Sequence, residues 1–292
     1  MRSIIALCLL MLLFACKSDS KSAKLDANYK SEFETYTEKL QQNRIKYLQL
    51  NGLHKLKDND NSFGKGALNH FVMNIESIAE TVGTITVKSD SVSFKAAENV
   101  MIKTASDSLV TDLHLPLDEY GSSIKLFHND INWQVITRAG SLYLRVWYEN
   151  NPMVERFKGY EHYELNSDFI FDGFFSYYDK EKEEKVDSQL GVKTSTNFIG
   201  YVTFDYEGNS YQLDVGSSGF TMVNDETSGD DTYGGGRYVY LDLPEQDGKV
   251  TIDFNKLYNP PCSFSQFTTC LYPPQQNHLP FKVTAGETLK RL

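Results

Sequence analysis

The stretch "INWQVITRAGSLYLRVWYE", residues 131–149, alternates apolar and polar residues on both sides of Ala139-Gly140. A period of two is typical of a strand that packs one face and exposes the other. Glycine in the short connection permits the tight reversal that joins two antiparallel strands. The stretch therefore predicts a β-hairpin.

The same alternation recurs along the chain and predicts further strands around short turns. Hairpins are predicted in "GTITVKSDSVSFKA" (83–96), "YVTFDYEGNSYQLDV" (201–215) and "RYVYLDLPEQDGKVTIDF" (237–254), and a final strand in "LPFKVTA" (279–285). The aromatic run "DFIFDGFFSYYD" (168–179) predicts a core strand, and "DKEKEEKVD" (179–187) a charged loop or hairpin tip. The chain contains 18 Phe and 18 Tyr, and aromatic residues are frequent in β-strands. We therefore expect a mainly β domain, either an antiparallel sandwich or a barrel-like sheet.

One helix is predicted before the strands, over residues 28–50. Its apolar and aromatic residues recur at helical spacing, and we expect this stripe to pack on the β domain. The stripe consists of Tyr29, Phe33, Tyr36, Leu40, Tyr47 and Leu48. Asp26 or Asn28 is expected to cap the start of the helix, and Asn51-Gly52 to provide a left-handed stop.

The first residues, "MRSIIALCLLMLLFAC", combine one early cation with an apolar run too short to span a bilayer, which needs about 20 residues. This pattern predicts a signal peptide over residues 1–15. The ending Leu13-Phe14-Ala15-Cys16 resembles a bacterial lipobox, which implies lipidation of Cys16. The polar segment 16–27 is expected to be a flexible tether, and residues 28–292 a single domain. The predicted location is the bacterial cell envelope, with the outer membrane as the expected site of attachment.

The formal net charge is −10 at pH 7, and the sequence shows no basic stripe. We therefore expect no nucleic-acid partner. With Cys8 in the signal peptide and Cys16 lipidated, Cys262 and Cys270 remain in an oxidising compartment. A disulfide between them is the first interpretation, and a zinc site the minor one. No metal or other cofactor is expected.

The segment 225–287 resembles the bacterial family known as domain of unknown function 1684. The residues that carry this resemblance include Asp225, Tyr233, Gly236-Arg237, Asp253-Phe254-Asn255, Tyr258-Asn259-Pro260-Pro261-Cys262, Cys270, Asn277 and Ala285-Gly286-Glu287. Weaker points of similarity, at Arg138 and Arg145 among others, extend it over most of the chain after the tether. The sequence departs from the family at Leu271, where proline is usual, and at His278, where arginine is usual. The family implies an architecture but no established activity.

Two interpretations of "DDTYGGGRY" remain open. The glycines permit close backbone approach, so their N–H groups, with the guanidinium of Arg237, are suited to an anion. Arg138 and Arg145, seven residues apart across a turn, are expected to converge on the same region. The alternative is a turn in which Arg237 pairs with Asp225, Asp231 or Asp253 as a structural network.

The first functional hypothesis is binding of a small anionic or carbohydrate-like ligand. Its predicted residues are Arg138, Arg145, Asp225, Tyr233, Gly236, Arg237, Asp253, Asn255, Asn277 and Glu287. The second is a hydrolase that uses carboxylates from Asp225, Asp231, Asp253 and Glu287. The third is a structural envelope protein. No G-x-S-x-G, H-E-x-x-H or C-x-x-C occurs, so the sequence leaves open whether the protein is an enzyme.

Overall fold

A computed structural model of the protein describes residues 25–89 and 91–292. The predicted signal peptide, Cys16 and most of the predicted tether lie outside these residues. Within the described part of the chain, no helix is both long enough and apolar enough to cross a bilayer.

Helix α1, Ala27–Leu48, confirms the predicted helix, and the Asp26 side chain caps its start by accepting a hydrogen bond from the Tyr29 N–H at 2.8 Å. The predicted stop at Asn51-Gly52 is wrong. The helix ends at Leu48 and the chain continues directly into a strand, in which Gly52 pairs with Val146. The side chains that α1 buries fully are Arg44 and Leu48, whereas the rest of the predicted aromatic stripe is half-buried.

The strands occupy most of the remaining described chain. In the first half they are β1 (Leu50–Lys55), β2 (Asn59–Gly64), β3 (Phe71–Val72), β4 (Gly83–Lys88), β5 (Ser91–Ala96), β6 (Ile102–Thr104), β7 (Leu109–Val110), β8 (Asp112–His114), β9 (Leu126–His128), β10 (Ile131–Arg138) and β11 (Ser141–Tyr148). A short helix α2 (Met153–Arg156) follows, and then β12 (Tyr160–His162), β13 (Ile170–Val186), β14 (Thr194–Tyr206), β15 (Asn209–Gly216), β16 (Phe220–Asp225), β17 (Arg237–Tyr240), β18 (Gly248–Asp253), β19 (His278–Leu279) and β20 (Glu287–Arg291).

Two sheets built from β1 to β11 share one hydrophobic core. Their strand orders are β1-β11-β10-β9-β6-β7 and β3-β2-β4-β5-β8. Trp133 lies at the centre of this core, with its ring 5.2 Å from that of Phe63 and 5.6 Å from that of Phe94. Because β10 and β11 turn Trp133, Leu144 and Val146 toward the core, the intervening side chains point to the opposite face of the first sheet.

A second core lies in the C-terminal half. Its sheets have the orders β15-β14-β13-β18 and β17-β16-β19, and a separate ladder joins β12 to β20. Phe171, Phe204 and Phe254 form a triangle of ring contacts at its centre, with centroids 4.7 to 5.7 Å apart. Aromatic packing at these distances adds to the stabilisation from apolar burial.

The predicted mainly antiparallel β fold with one helix before it is confirmed, and within the described residues no sheet closes into a barrel. The hairpins around residues 89–91, 139–140 and 207–209 are confirmed by β4–β5, β10–β11 and β14–β15. Two short pairs, β2–β3 and β16–β19, are parallel.

The prediction of a loop over "DKEKEEKVD" is wrong, because β13 continues through it to Val186. Lys182 to Val186 pair with β14 after a shift in register. Most side chains of this part are exposed or half-buried, so charges are tolerated along the strand, while Lys182 reaches the buried carboxylate of Asp214 at 2.5 Å.

The predicted hairpin over residues 237–254 is also wrong, although both strands exist. β17 pairs with β16, and β18 pairs with β13, so neither is the partner of the other. The predicted final strand over 279–285 is limited to β19, and the last strand is β20.

Helix α1 contacts both halves of the described chain. The Trp147 indole N–H donates to the Lys46 carbonyl at 2.9 Å, and the Tyr36 hydroxyl donates to the Lys256 carbonyl at 2.6 Å. Leu48 of α1 packs in a separate small cluster with Phe157, Tyr160 and Phe264. That residues 28–292 form a single domain stays a prediction.

Candidate functional site

Arg138 and Arg145 line one cavity of about 730 Å³. Arg138 is the last residue of β10, and Arg145 pairs with Gln134 in the middle of the β10–β11 hairpin. Both side chains project from the face of the sheet that is turned away from Trp133. The cavity lies between this face, helix α1 and the C-terminal segment around residues 258–271.

The two guanidinium groups have no acidic partner among the described residues. Arg138 donates from Nη1 to the neighbouring Thr137 carbonyl at 2.6 Å, and the Nε of Arg145 is buried without a hydrogen bond. Burial, and after it the positive charge of Arg138, lowers the pKa of Arg145 to about 10. Burial also lowers the pKa of Arg138. Arg138 and Arg145 thus line one cavity, but the glycine run and Arg237, the region on which they were expected to converge, do not line it.

One face of helix α1 forms a wall of the cavity. Its residues recur at spacings of three and four, which places them on a single stripe of the helix. These residues are Tyr36, Lys39, Leu40, Asn43, Arg44, Lys46 and Tyr47. Tyr36, Leu40 and Tyr47 were predicted to pack on the β domain. Lys39 and Lys46 beside that stripe are the signal that could have indicated a cavity, since cations are unfavourable in a packed core.

A group of aromatic side chains forms a second wall of the cavity. The Tyr238 ring lies 4.9 Å from Phe220 and 6.0 Å from Tyr258, and Tyr240 lies 5.4 Å from Phe220. Burial is the main cause that raises the pKa of the Tyr258 hydroxyl, and neighbouring tyrosines add to it. These hydroxyls therefore stay neutral at physiological pH.

The charge of the cavity opposes that of the protein as a whole. In the described part of the chain its lining contains five cations and no Asp or Glu; the cations are Lys39, Arg44, Lys46, Arg138 and Arg145. Arg44 is neutralised by an ion pair with Glu287. The other four cations make the cavity positive, although the net charge of the chain is −10.

The predicted disulfide between Cys262 and Cys270 is confirmed, with the two Cα atoms 6.0 Å apart. Its loop contributes Thr268, Thr269 and the following Leu271 to the cavity. The Tyr238 hydroxyl donates to the Leu271 carbonyl at 2.6 Å and so ties this loop to β17.

Arg237, which the sequence analysis placed at the centre of the site, lies outside the cavity and is fully buried. Its Nη1 donates to the carbonyls of Ala285 (2.5 Å) and Glu287 (3.2 Å), and its Nη2 to the Val283 carbonyl and the Asp225 carboxylate, both at 2.9 Å. This arrangement matches the alternative in which Arg237 pairs with Asp225. Both Nη groups have partners within the fold, so neither is available to a ligand.

The glycine run that precedes Arg237 forms a tight turn. Gly236 has φ +79°, and a Cβ at this position would lie 2.7 Å from the Val223 carbonyl oxygen and 2.5 Å from Cγ of Pro273. The Gly236 N–H donates to the Tyr233 carbonyl at 2.9 Å and is therefore not free for an anion. Glycine is required here by backbone conformation and close packing.

The other predicted site residues also make contacts within the fold, away from the cavity lining. The Asp253 carboxylate accepts from the Tyr29 hydroxyl at 2.9 Å and from the Asn255 amide group at 3.1 Å. Asn277 bridges two strands by accepting from the Asp214 N–H at 2.7 Å and donating to the Met222 carbonyl at 2.8 Å. Such contacts satisfy buried polar groups.

The carboxylates considered for hydrolysis are dispersed among different partners. Asp225 pairs with Arg237, and Glu287 with Arg44, while Asp231 is exposed. A second cavity, of about 740 Å³, lies over strands β13, β14 and β18. It has Asp172 and Asp205 beside Lys249 and lacks the excess of cations found in the first.

Comparison with known proteins finds a matching family model and similar solved structures. Residues 155–288 match the family model described as protein of unknown function (DUF1684), which confirms the resemblance seen in the sequence. The solution NMR structure of an uncharacterized protein of Haloarcula marismortui is 27% identical; the match covers 46% of this chain and 78% of that chain, with a TM-score of 0.38. No curated protein matches the chain. Arg138 and Arg145 precede the residues that the family model matches.

Proposed function

We propose that this chain, whose residues 155–288 belong to the DUF1684 family, binds a small anionic ligand in the cavity between α1, the β10–β11 hairpin and the disulfide loop. The observation that carries the proposal is the pair Arg138 and Arg145. Among the described residues, neither guanidinium group has a carboxylate partner, and no Asp or Glu lines their cavity.

The physical argument concerns the missing counter-charge. Removing a cation from water is costly unless an opposite charge compensates it, and two adjacent cations also repel each other. A carboxylate or phosphate between Arg138 and Arg145 would remove both penalties, because each guanidinium presents parallel N–H donors to two oxygens. The volume of about 730 Å³ is within the range of small-molecule sites.

The test is isothermal titration calorimetry of the purified protein with phosphate, sulfate, acetate and citrate. Arg138→Gln and Arg145→Gln should each weaken the affinity for a bound anion by about tenfold or more, which corresponds to about 1.4 kcal/mol. Arg156→Gln is the matched control, since it removes the same charge from an exposed helix position outside the cavity. Equal affinities in wild type and both cavity variants would refute the proposal.

The proposal also includes attachment to the bacterial outer membrane through a lipid on Cys16. It is supported by the lipobox-like end of the apolar run and by the polar segment that separates Cys16 from α1. Cells fed an alkyne fatty acid should label the wild-type protein and not Cys16→Ser, and only the wild type should fractionate with membranes. If Cys16→Ser is still labelled by the fatty acid, the proposed lipid attachment at Cys16 is wrong.

The hydrolase hypothesis has less support, because Asp225, Asp253 and Glu287 each have a charged or hydroxyl partner within the fold. If no anion binds and the cavity variants leave stability unchanged, the structural envelope role becomes the better proposal.

A further inference from the structure

We infer that the ligand carries its anionic group on a flat ring, with the charge between Arg138 and Arg145 and the ring against the tyrosine wall. This inference rests on the proposed function and specifies the ligand class. Aromatic rings and sugar rings share the required shape, so both are included.

The cavity lining combines two chemically different groups. Arg138 and Arg145 are cationic, and Tyr238, Tyr240 and Tyr258 belong to the tyrosine wall. Inorganic phosphate or acetate is suited only to the arginines. A ligand that contacts both groups must carry a larger uncharged part attached to its anionic group.

Tyr47 lines the same cavity as the arginine pair and the three tyrosines. The Nζ of Lys46 lies 5.1 Å from the centre of its ring. Helix α1 therefore adds one aromatic ring and one cation to the lining of the cavity.

The wall is suited to a ring rather than to a flexible acyl chain. Tyrosine rings stack on aromatic faces or on the C–H faces of sugars, and their hydroxyls bind polar edges. Tyr240 retains 58% of its surface exposed, although it belongs to the lining of a cavity. A ring offers a flat face to the exposed part of Tyr240, whereas an acyl chain would contact it only along its edge.

The experiment uses calorimetry with the full-length protein to compare phosphates that differ in the group attached to the phosphate. The probes are inorganic phosphate, methyl phosphate, phenyl phosphate and glucose 6-phosphate. Phenyl phosphate or glucose 6-phosphate should bind about tenfold or more tightly than methyl phosphate, as one stacked ring would provide. The tighter of the two identifies the ring as aromatic or as sugar.

Variants separate the two proposals. Tyr47→Leu and Tyr240→Leu should abolish the difference in affinity between the ring phosphates and methyl phosphate, whereas Arg145→Gln should weaken the binding of every phosphate. Tyr120→Leu, 78% exposed and outside the cavity lining, is the control. If all four phosphates bind with equal affinity and Arg145→Gln weakens each of them, the inference of a ring is wrong and the anion site stands. Binding that is absent, or independent of Arg145, would overturn both.

Discussion

Arg44 in helix α1 and Glu287 in strand β20 form a two-point ion pair, with Nη1 2.8 Å from Oε1 and Nη2 2.6 Å from Oε2. Both side chains are buried, and the guanidinium lies 5.5 Å from the ring centres of Tyr160 and Phe264. The Asn259 N–H also donates to Oε2 of Glu287 at 2.7 Å. The pair joins the first helix to the last strand across 243 residues of sequence.

Arg44→Met should lower the free energy of unfolding by about 3–5 kcal/mol, because it leaves the Glu287 carboxylate buried without its counter-charge. Urea unfolding followed by far-UV circular dichroism measures the change. Lys30→Met, an exposed position of the same helix, should stay within about 0.5 kcal/mol of wild type. A loss below 1 kcal/mol in Arg44→Met would contradict the importance of the pair.

Arg237→Met should also destabilise the protein by about 3–5 kcal/mol, since Asp225 and three carbonyl groups lose their buried donor. Its affinity for an anion should remain at the wild-type value under conditions in which it is folded, because Arg237 does not line the cavity. Unfolding and calorimetry on the same sample check both statements. A stable variant that has lost anion binding would place the site at Arg237 instead.

Removal of the disulfide by the paired change Cys262→Ser and Cys270→Ser should lower the free energy of unfolding by about 2–3 kcal/mol, as the chain-entropy account gives for a loop of this length. Anion affinity should fall as well, because Thr268, Thr269 and Leu271 line the cavity. Wild-type protein in dithiothreitol should reproduce the lower urea midpoint. An unchanged midpoint in both samples would show that the link adds no stability.

Stability should fall as the pH rises above about 10. Burial raises the folded pKa of Tyr258, so this side chain keeps its proton while the same residue in the unfolded chain releases it. Its contribution to stability is complete below the unfolded pKa and is progressively lost above it. Between pH 8 and pH 11, the free energy of unfolding should decrease by about 1.4 kcal/mol less in Tyr258→Phe than in wild type.

Urea unfolding at pH 8, 10 and 11 measures this difference. Arg145 titrates in both proteins, so its contribution cancels in the comparison. Tyr120→Phe, at an exposed position, should follow wild type. Parallel pH profiles for wild type and Tyr258→Phe would contradict the assignment to Tyr258.

The sequence predicted those parts of the fold whose partners are close along the chain. The segments between β4 and β5, between β10 and β11, and between β14 and β15 carry local signals in the sequence, and each joins two strands that pair with each other. The hairpin predicted over residues 237–254 is wrong in its pairing: both strands form, but each pairs with a strand outside this segment. Pairing of β18 with β13 connects Asp253 to Ile170, and no local pattern encodes such a contact.

The candidate site was predictable only in part, for a related reason. Arg138 and Arg145 belong to one hairpin, so their convergence followed from its periodicity. Arg44 was not recognised, because a charged residue on an amphipathic helix is normally solvated, and only Glu287 explains its burial. The role of α1 as a cavity wall likewise depends on the distant segment that it faces.

The distant partners of α1 also determine when the helix can acquire its final packing during synthesis. Trp147, which contacts Lys46, lies about one hundred residues after the helix, whereas Asp253, Lys256 and Glu287 follow it by more than two hundred residues. Contacts between residues so far apart along the chain slow folding. Arg44 has no ion-pair partner until Glu287 has been synthesised, so the cavity wall that α1 forms can reach its final packing only when synthesis of the chain is nearly complete.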